Sequence, residues 1–250
     1  MDERFAARLK AARARPRTAA IWVAVATLVM AAVVYVVAFA PIFTLDDVVV
    51  TGGSKDVATV AEKNARAPIG RPLARVDTEA IASRVAVDPR IEQVEVRREW
   101  PSGLVIDVTT RTPAAVVKQP GTALQLVDAT GVIYDEVSKP PTGLPQIGAP
   151  AGDVDPGSLA GAVQARNALG DPFAEQVTAM SVTADGDLRF ALGVVDVQWG
   201  RPDRVELKAA ATRALLAQKT IDPDGERPMT IDVTAPQTPV VTGLPVVPRG

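Results

Sequence analysis

Twenty consecutive residues without a charge, Ile21 to Ala40 (IWVAVATLVMAAVVYVVAFA), constrain this chain of 250 residues more than any other feature. At about 1.5 Å rise per residue, a helix of that length reaches about 30 Å, the thickness of a bilayer's hydrocarbon core. Trp22 stands near one end and Tyr35 and Phe39 near the other, where interfacial anchors belong. Ala38-Phe39-Ala40 resembles a signal-peptidase site. Against cleavage, the stretch exceeds the roughly 7–15 residues of a signal h-region, and Pro41 occupies the position where the scissile bond would need access. The expectation is a membrane anchor, with the lipid bilayer as partner of Ile21 to Ala40.

Six of the 27 basic residues precede Ile21 (Arg4, Arg8, Lys10, Arg13, Arg15, Arg17), with only two of the 29 acidic ones. The positive-inside rule therefore puts residues 1–20 in the cytoplasm as a basic tail and everything after Pro41 outside. The remainder carries about −6, which argues against nucleic acid as its partner. The chain has no cysteine and no histidine. Disulfides, thiolate nucleophiles, His-based triads and the usual zinc sites are thereby excluded. Carboxylate-only and Ser-Lys chemistry survive.

Beyond the span, FTLDDVVVTGG (Phe43 to Gly53) reads as a strand ending at a Gly-Gly stop. A helix follows, capped by Ser54 or Asp56, then a second capped by Asp77 or Thr78 with Ile81 and Val85 inward. IEQVEVRREW and LVIDVTT both alternate, so they form a hairpin with one buried face. Pro101 and Gly103 suit a type I turn between them. Trp100 is expected as a lid on the aliphatic core, and Arg97 and Arg98 cannot both face inward.

The basic tail, single span, FTLDDVVVTGG, DPRIEQVEVRREWPSGLVIDV and RTPAAVV together resemble the bacterial cell-division proteins of the FtsQ/DivIB family. The resemblance implies a POTRA domain (β-α-α-β-β) over residues 43–112. Thr110 stands where the family commonly has glutamate before Arg111, so that residue's salt bridge is absent. LVDATGVIY and GLPQI continue the resemblance into a β-rich domain with flanking helices over 113–241, followed by a disordered Pro/Gly-rich tail at 242–250. The fold class is α+β.

Within that second region, PGSLAGAVQARNALG fits a helix with Leu159, Val163, Arg166 and Leu169 on one face, and Asp185-Gly186 turns a hairpin. In RPDRVELKAAATRALLAQK, Asp203 and Glu206 approximate a capping box, and Leu207, Ala211, Ala214 and Leu215 form the inward stripe. PMTIDVTAPQTPVV (Pro228 to Val241) is a late strand.

Candidate chemistry is sparse. Asp185 and Asp187 could suggest calcium, but they lack the further ligands of a calcium loop, and a hairpin turn accounts for them. Asp46-Asp47 and Asp135-Glu136 are adjacent on strands and so point to opposite faces, unsuited to joint acid/base work. Ser102 and Ser181 lack a Gly-x-Ser-x-Gly setting. No catalytic, metal or cofactor residue is assigned. Pro236 and Pro239 cannot donate to a ladder and mark an edge, either open to an incoming strand or protected by those prolines. The resemblance favours an open edge: in the family, the carboxy-terminal edge strand receives a strand from FtsB/DivIC. The implied partner-binding residues are Ile231, Asp232, Val233, Thr234 and Ala235. The implied function is a non-enzymatic divisome scaffold of the cell membrane, single-pass with a cytoplasmic N-terminus and enriched at the septum. It would recruit FtsB/DivIC-like and FtsL-like partners and help regulate septal peptidoglycan synthesis. The alternatives are a membrane-anchored extracytoplasmic enzyme or sensor, and a POTRA-bearing transport component.

Overall fold

A computed structural model describes residues 3–39, 41–171 and 173–243. The chain divides into two compact units, Met1–Thr110 and Arg111–Gly250. Residues Ile21 to Phe39 of the uncharged stretch lie within one helix, α1 (Glu3–Phe39), so the basic segment read as a tail is helical from Glu3 onward. The part long and apolar enough to cross a membrane is Thr18–Val36, none of it buried. It starts and ends a few residues before the stretch Ile21 to Ala40, and Ala40 lies outside the described residues.

A 3-10 turn, Pro41–Phe43, leads into β1 (Asp47–Thr51). Next come α2 (Lys55–Ala65) and α3 (Thr78–Val85). Ser54 Oγ accepts from the Val57 N–H at 3.4 Å, and Asp77 Oδ1 from the Ala80 N–H at 2.9 Å, so each helix has a side-chain cap. β2 (Ile91–Glu99) and β3 (Gly103–Thr110) complete the β-α-α-β-β order. The strands lie in the order β1–β3–β2, with β1 parallel and β2 antiparallel to β3. Leu104, Ile106 and Val108 alternate into a core shared with Val57, Ala61, Ile81 and Val85.

The two arginines divide as alternation demands. Arg98 turns back over the connection before α3, its Nε donating to the Leu73 carbonyl (3.1 Å) and its Nη2 to that of Val76 (2.6 Å). On the other face, Arg97 Nε donates to Asp107 (2.9 Å). The Thr51 hydroxyl and the Arg97 guanidinium hold the Asp107 carboxyl below its ordinary range. Trp100 is not the expected lid. It is 49% exposed and meets Phe43 edge-on, with ring centroids 5.8 Å apart. The core beneath is already closed by buried Leu73 and Val76, on the turn that Arg98 straps. The Trp100–Pro101 peptide bond in this connection is cis.

The second unit opens with β4 (Pro113–Lys118), β5 (Leu124–Asp128), β6 (Ile133–Val137) and β7 (Gln146–Gly148). Then come α4 (Pro156–Leu169), the short α5 (Phe173–Gln176), β8 (Val177–Val182), β9 (Leu188–Leu192) and β10 (Val195–Gly200). It closes with α6 (Val205–Leu216), β11 (Met229–Asp232) and β12 (Val240–Thr242). All nine strands join one sheet in the order β12–β11–β10–β9–β8–β7–β4–β5–β6. Leu159, Val163 and Leu169 of α4 pack with Ala209 and Leu216 of α6 onto Ile147, Leu188, Phe190, Leu192 and Trp199 of the sheet. Beyond Gly243, the expected Pro/Gly-rich tail lies outside the described residues.

Two local devices shape this unit. At the β5–β6 turn, Asp128 Oδ1 accepts from the Thr130 N–H (2.9 Å), the Thr130 hydroxyl (2.7 Å) and the Val132 N–H (3.0 Å). Its Oδ2 accepts from Arg111 Nη1 at 2.6 Å, so Arg111 finds a carboxylate here despite Thr110. Gly131 has φ +84°, and a Cβ there would lie 1.8 Å from the Pro156 carbonyl oxygen, so the turn admits only glycine.

The second device is α6, which departs from its sequence reading. Its N-cap is Arg204, without a side-chain cap bond, and Asp203 instead accepts from Lys208 Nζ (2.7 Å), so no capping box forms. The buried positions are Lys208, Ala209, Thr212 and Leu216, while Leu207 and Ala214 are exposed and Ala211 and Leu215 half-buried. Lys208 Nζ also donates to the Arg201 carbonyl (2.8 Å), and the Thr212 hydroxyl to the Lys208 carbonyl (2.8 Å). With these polar ends satisfied, the lysine stem and threonine methyl can be buried. The buried face is turned about 130° from the stripe that hydrophobicity selects.

Candidate partner-binding edge

β11 takes its place through β-branched and apolar residues that fill the core face. Its register on β10 is parallel, Val195 opposite Met229 and Val197 opposite Ile231, and the Val233 N–H extends the ladder to the Gln198 carbonyl at 3.0 Å. Ile231 and Val233 are fully buried. After them, Asp232 Oδ1 accepts from the Thr234 N–H (2.9 Å) and hydroxyl (2.7 Å), a side-chain turn that ends the strand. Thr234 and Ala235 are exposed.

β11 is not an edge strand. β12 pairs antiparallel along its other side, with Thr230 opposite Thr242, Ile231 opposite Val241 and Asp232 opposite Val240. The reading of Ile231, Asp232, Val233, Thr234 and Ala235 as an open edge is therefore corrected: the strand residues among them have neighbours on both sides. Pro236 and Pro239 do not line an edge either. They lie in the β11–β12 connection, where the Thr238 N–H donates to the Ala235 carbonyl (3.0 Å) and Pro236 takes the second turn position.

The two edges of the sheet are β12 and β6. They differ in chemistry. β6 carries exposed Asp135 and Glu136 and runs on toward Pro140 and Pro141, charges and prolines of the sort that blunt an edge. β12 is Val240-Val241-Thr242, uncharged, with Val240 56% exposed. The signal for β12 was legible as a β-branched triplet after Pro239. A run of three residues next to a Pro/Gly-rich tail does not distinguish a strand from an extended connection.

The other candidates stay apart. Asp185 and Gly186 lie in the β8–β9 turn, where the Gly186 N–H donates to the Thr183 carbonyl (3.0 Å) and the Asp187 N–H to the Thr183 hydroxyl (3.1 Å). Ser181 faces solvent on β8, and Ser102 is half-buried in the β2–β3 turn. Among the described residues, no three acidic groups converge in a way that could hold a metal ion.

Residues 43–111 match the family described as POTRA domain, FtsQ-type. The chain is 33% identical over 244 residues to the cell division protein FtsQ of Streptomyces coelicolor, covering 92% of this chain and 89% of that protein. The chain belongs to the FtsQ family of cell-division proteins. Other relatives agree. FtsQ of Streptomyces bingchenggensis is 34% identical over 79% of this chain and 76% of that protein, and FtsQ of Mycolicibacterium smegmatis is 34% identical over 88% and 64%. As an FtsQ-type chain it combines one N-terminal apolar helix, a POTRA domain and a β-rich domain with flanking helices.

Proposed function

We propose that this chain is a non-enzymatic scaffold of the divisome. α1 crosses the cell membrane with its basic end in the cytoplasm and concentrates the protein at the septum. The β-rich unit recruits FtsB/DivIC-like and FtsL-like partners and so helps control septal peptidoglycan synthesis. The partner's strand adds to the outer side of β12, extending the sheet as a tenth strand. The observation that supports this reading is the asymmetry of the sheet's edges: β12 is uncharged and β6 is charged and flanked by prolines. Ile231 and Val233 then act from behind, by holding β12 in register, while Thr234 and Ala235 flank the site.

The test is co-purification of the full chain, in detergent, with the FtsB/DivIC and FtsL homologues of the same bacterium. Val240→Lys and Val241→Pro, which charge the edge or remove a donor, are expected to reduce recovery about tenfold or more. Glu136→Lys on β6, at an exposed position, leaves recovery unchanged. If both β12 substitutions retain the partners while the β6 substitution loses them, the edge has been assigned to the wrong side of the sheet.

A further inference from the structure

The hairpin tip and one loop of the POTRA unit converge on the segment that leaves α1. The uncharged run does not stop at Ala40: no charge occurs from Thr18 through Leu45. Phe43 lies four residues beyond the end of α1, within a 3-10 turn rising about 2 Å per residue. The chain there is held from both flanks. On one side the Leu45 N–H donates to the Arg71 carbonyl (2.9 Å), the Gly70 N–H to the Leu45 carbonyl (2.8 Å), and Thr44 bridges Pro72. On the other the Asp46 N–H donates to the Ser102 carbonyl (2.9 Å), and Trp100 packs on Phe43.

The side chains at this end are apolar and exposed: Ile42 at 66%, Ile69 at 60% and Trp100 at 49%. Single exposed apolar residues are common on any surface. These three come from three separate segments and gather where an apolar helix exits. Each bilayer leaflet adds a headgroup layer of about 5–7 Å to the hydrocarbon core. The three residues of the 3-10 turn that follow the stretch Ile21 to Ala40 rise about 6 Å, which keeps Phe43 within that layer, and the indole beside it is the side chain best suited to a half-polar layer.

We infer that Ile42, Phe43, Ile69 and Trp100 form an interfacial foot by which the POTRA unit rests in the phospholipid headgroup layer next to its own span. The occupant is the bilayer itself, argued from continuity with α1, and the inference rests on the reading of α1 as a membrane span. Arg71, exposed in the loop that carries Ile69, lies at headgroup level, with Asp46 and Glu99 the acidic neighbours along the chain. The foot limits how far the POTRA unit can lift or tilt from the membrane surface.

The chain's three tryptophans allow a direct test: Trp22 in α1, Trp100 in the foot and fully buried Trp199. Full-length variants are reconstituted in phosphatidylcholine–phosphatidylglycerol vesicles containing lipids brominated near the headgroup or deep in the acyl chain. The Trp22→Phe protein reports Trp100 and Trp199. The Trp22→Phe/Trp100→Phe protein reports Trp199 alone, whose unchanged emission also verifies folding. Trp100→Phe reports Trp22 and Trp199. The expected result is that Trp100 emission falls about twofold with shallow bromines and less with deep ones, as for an interfacial indole, while Trp199 is unaffected. If Trp22 is quenched and Trp100 is not, the foot is overturned and the span stands. If neither is quenched, the span reading fails and takes the foot with it.

Discussion

At the scale of single residues, polar side chains in the β-rich unit join local turns to more distant strands. Asp128 is the clearest. Burial raises its carboxyl pKa, but the Thr130 hydroxyl, the Val132 N–H and the Arg111 guanidinium outweigh that and leave it below the ordinary carboxylate value. A carboxyl depressed in the folded state favours folding at every pH above its unfolded value. That contribution is lost as pH falls through about 4 and below. Asp128→Asn is therefore expected to cost about 2–4 kcal/mol at neutral pH and to flatten the acid limb of the stability profile. Urea unfolding of wild type and variant between about pH 7 and pH 3 measures both effects. The role of Asp128 as a turn former was legible in Asp-Ala-Thr-Gly. Its pairing with Arg111 was not, because the two lie 17 residues apart and meet only once β4 and β5 pair.

At the scale of elements, periodicity located nearly every helix and strand, and errors arose where apolar ranking was used to choose a face. α6 shows why. A hydrophobicity rule puts Leu207 inside and Lys208 outside, whereas the structure buries Lys208 almost completely and leaves Leu207 55% exposed. The register is set by close approach of α4 and the segment before α6. A Cβ on Gly161 would lie 2.0 Å from Pro202 Cβ, so only glycine lets Pro202 sit there. Leu207→Ser is expected to change stability by less than about 0.5 kcal/mol. Gly161→Leu, which overpacks that contact, is expected to cost about 1–3 kcal/mol or more. Thermal or urea unfolding of the two variants decides the face: a large loss from Leu207→Ser would return α6 to the orientation read from its sequence. The edge strand belongs at this scale too. Asp232 and Thr234 announce the end of β11, but nothing local announces that three residues beyond two prolines fold back to pair with it.

At the scale of the whole molecule, the main cores of the two units share no residue, one around Leu104, Ile106 and Ile81, the other around Phe190, Trp199 and Leu159, with a smaller cluster of Val116, Leu126 and Tyr134 in the second unit. Residues 111–250 expressed alone are accordingly expected to unfold in one cooperative transition, with near- and far-ultraviolet circular dichroism coinciding. Separate or gradual transitions would mean that this unit depends on the one before it. The amino-acid sequence by itself determined the apolar helix, the POTRA element order and the family. The helix and the element order follow from composition and short-range period, and the family from the resemblance of motifs such as DPRIEQVEVRREWPSGLVIDV, none of which needs knowledge of distant neighbours. Only the tertiary structure decided that β11 is interior and β12 the edge, that Arg98 straps the turn at Leu73 to Val76, and that Trp100 meets Phe43 rather than the core. Those outcomes depend on which segments meet across long loops, and free backbone groups at an edge are identified only when every other strand has found its partner.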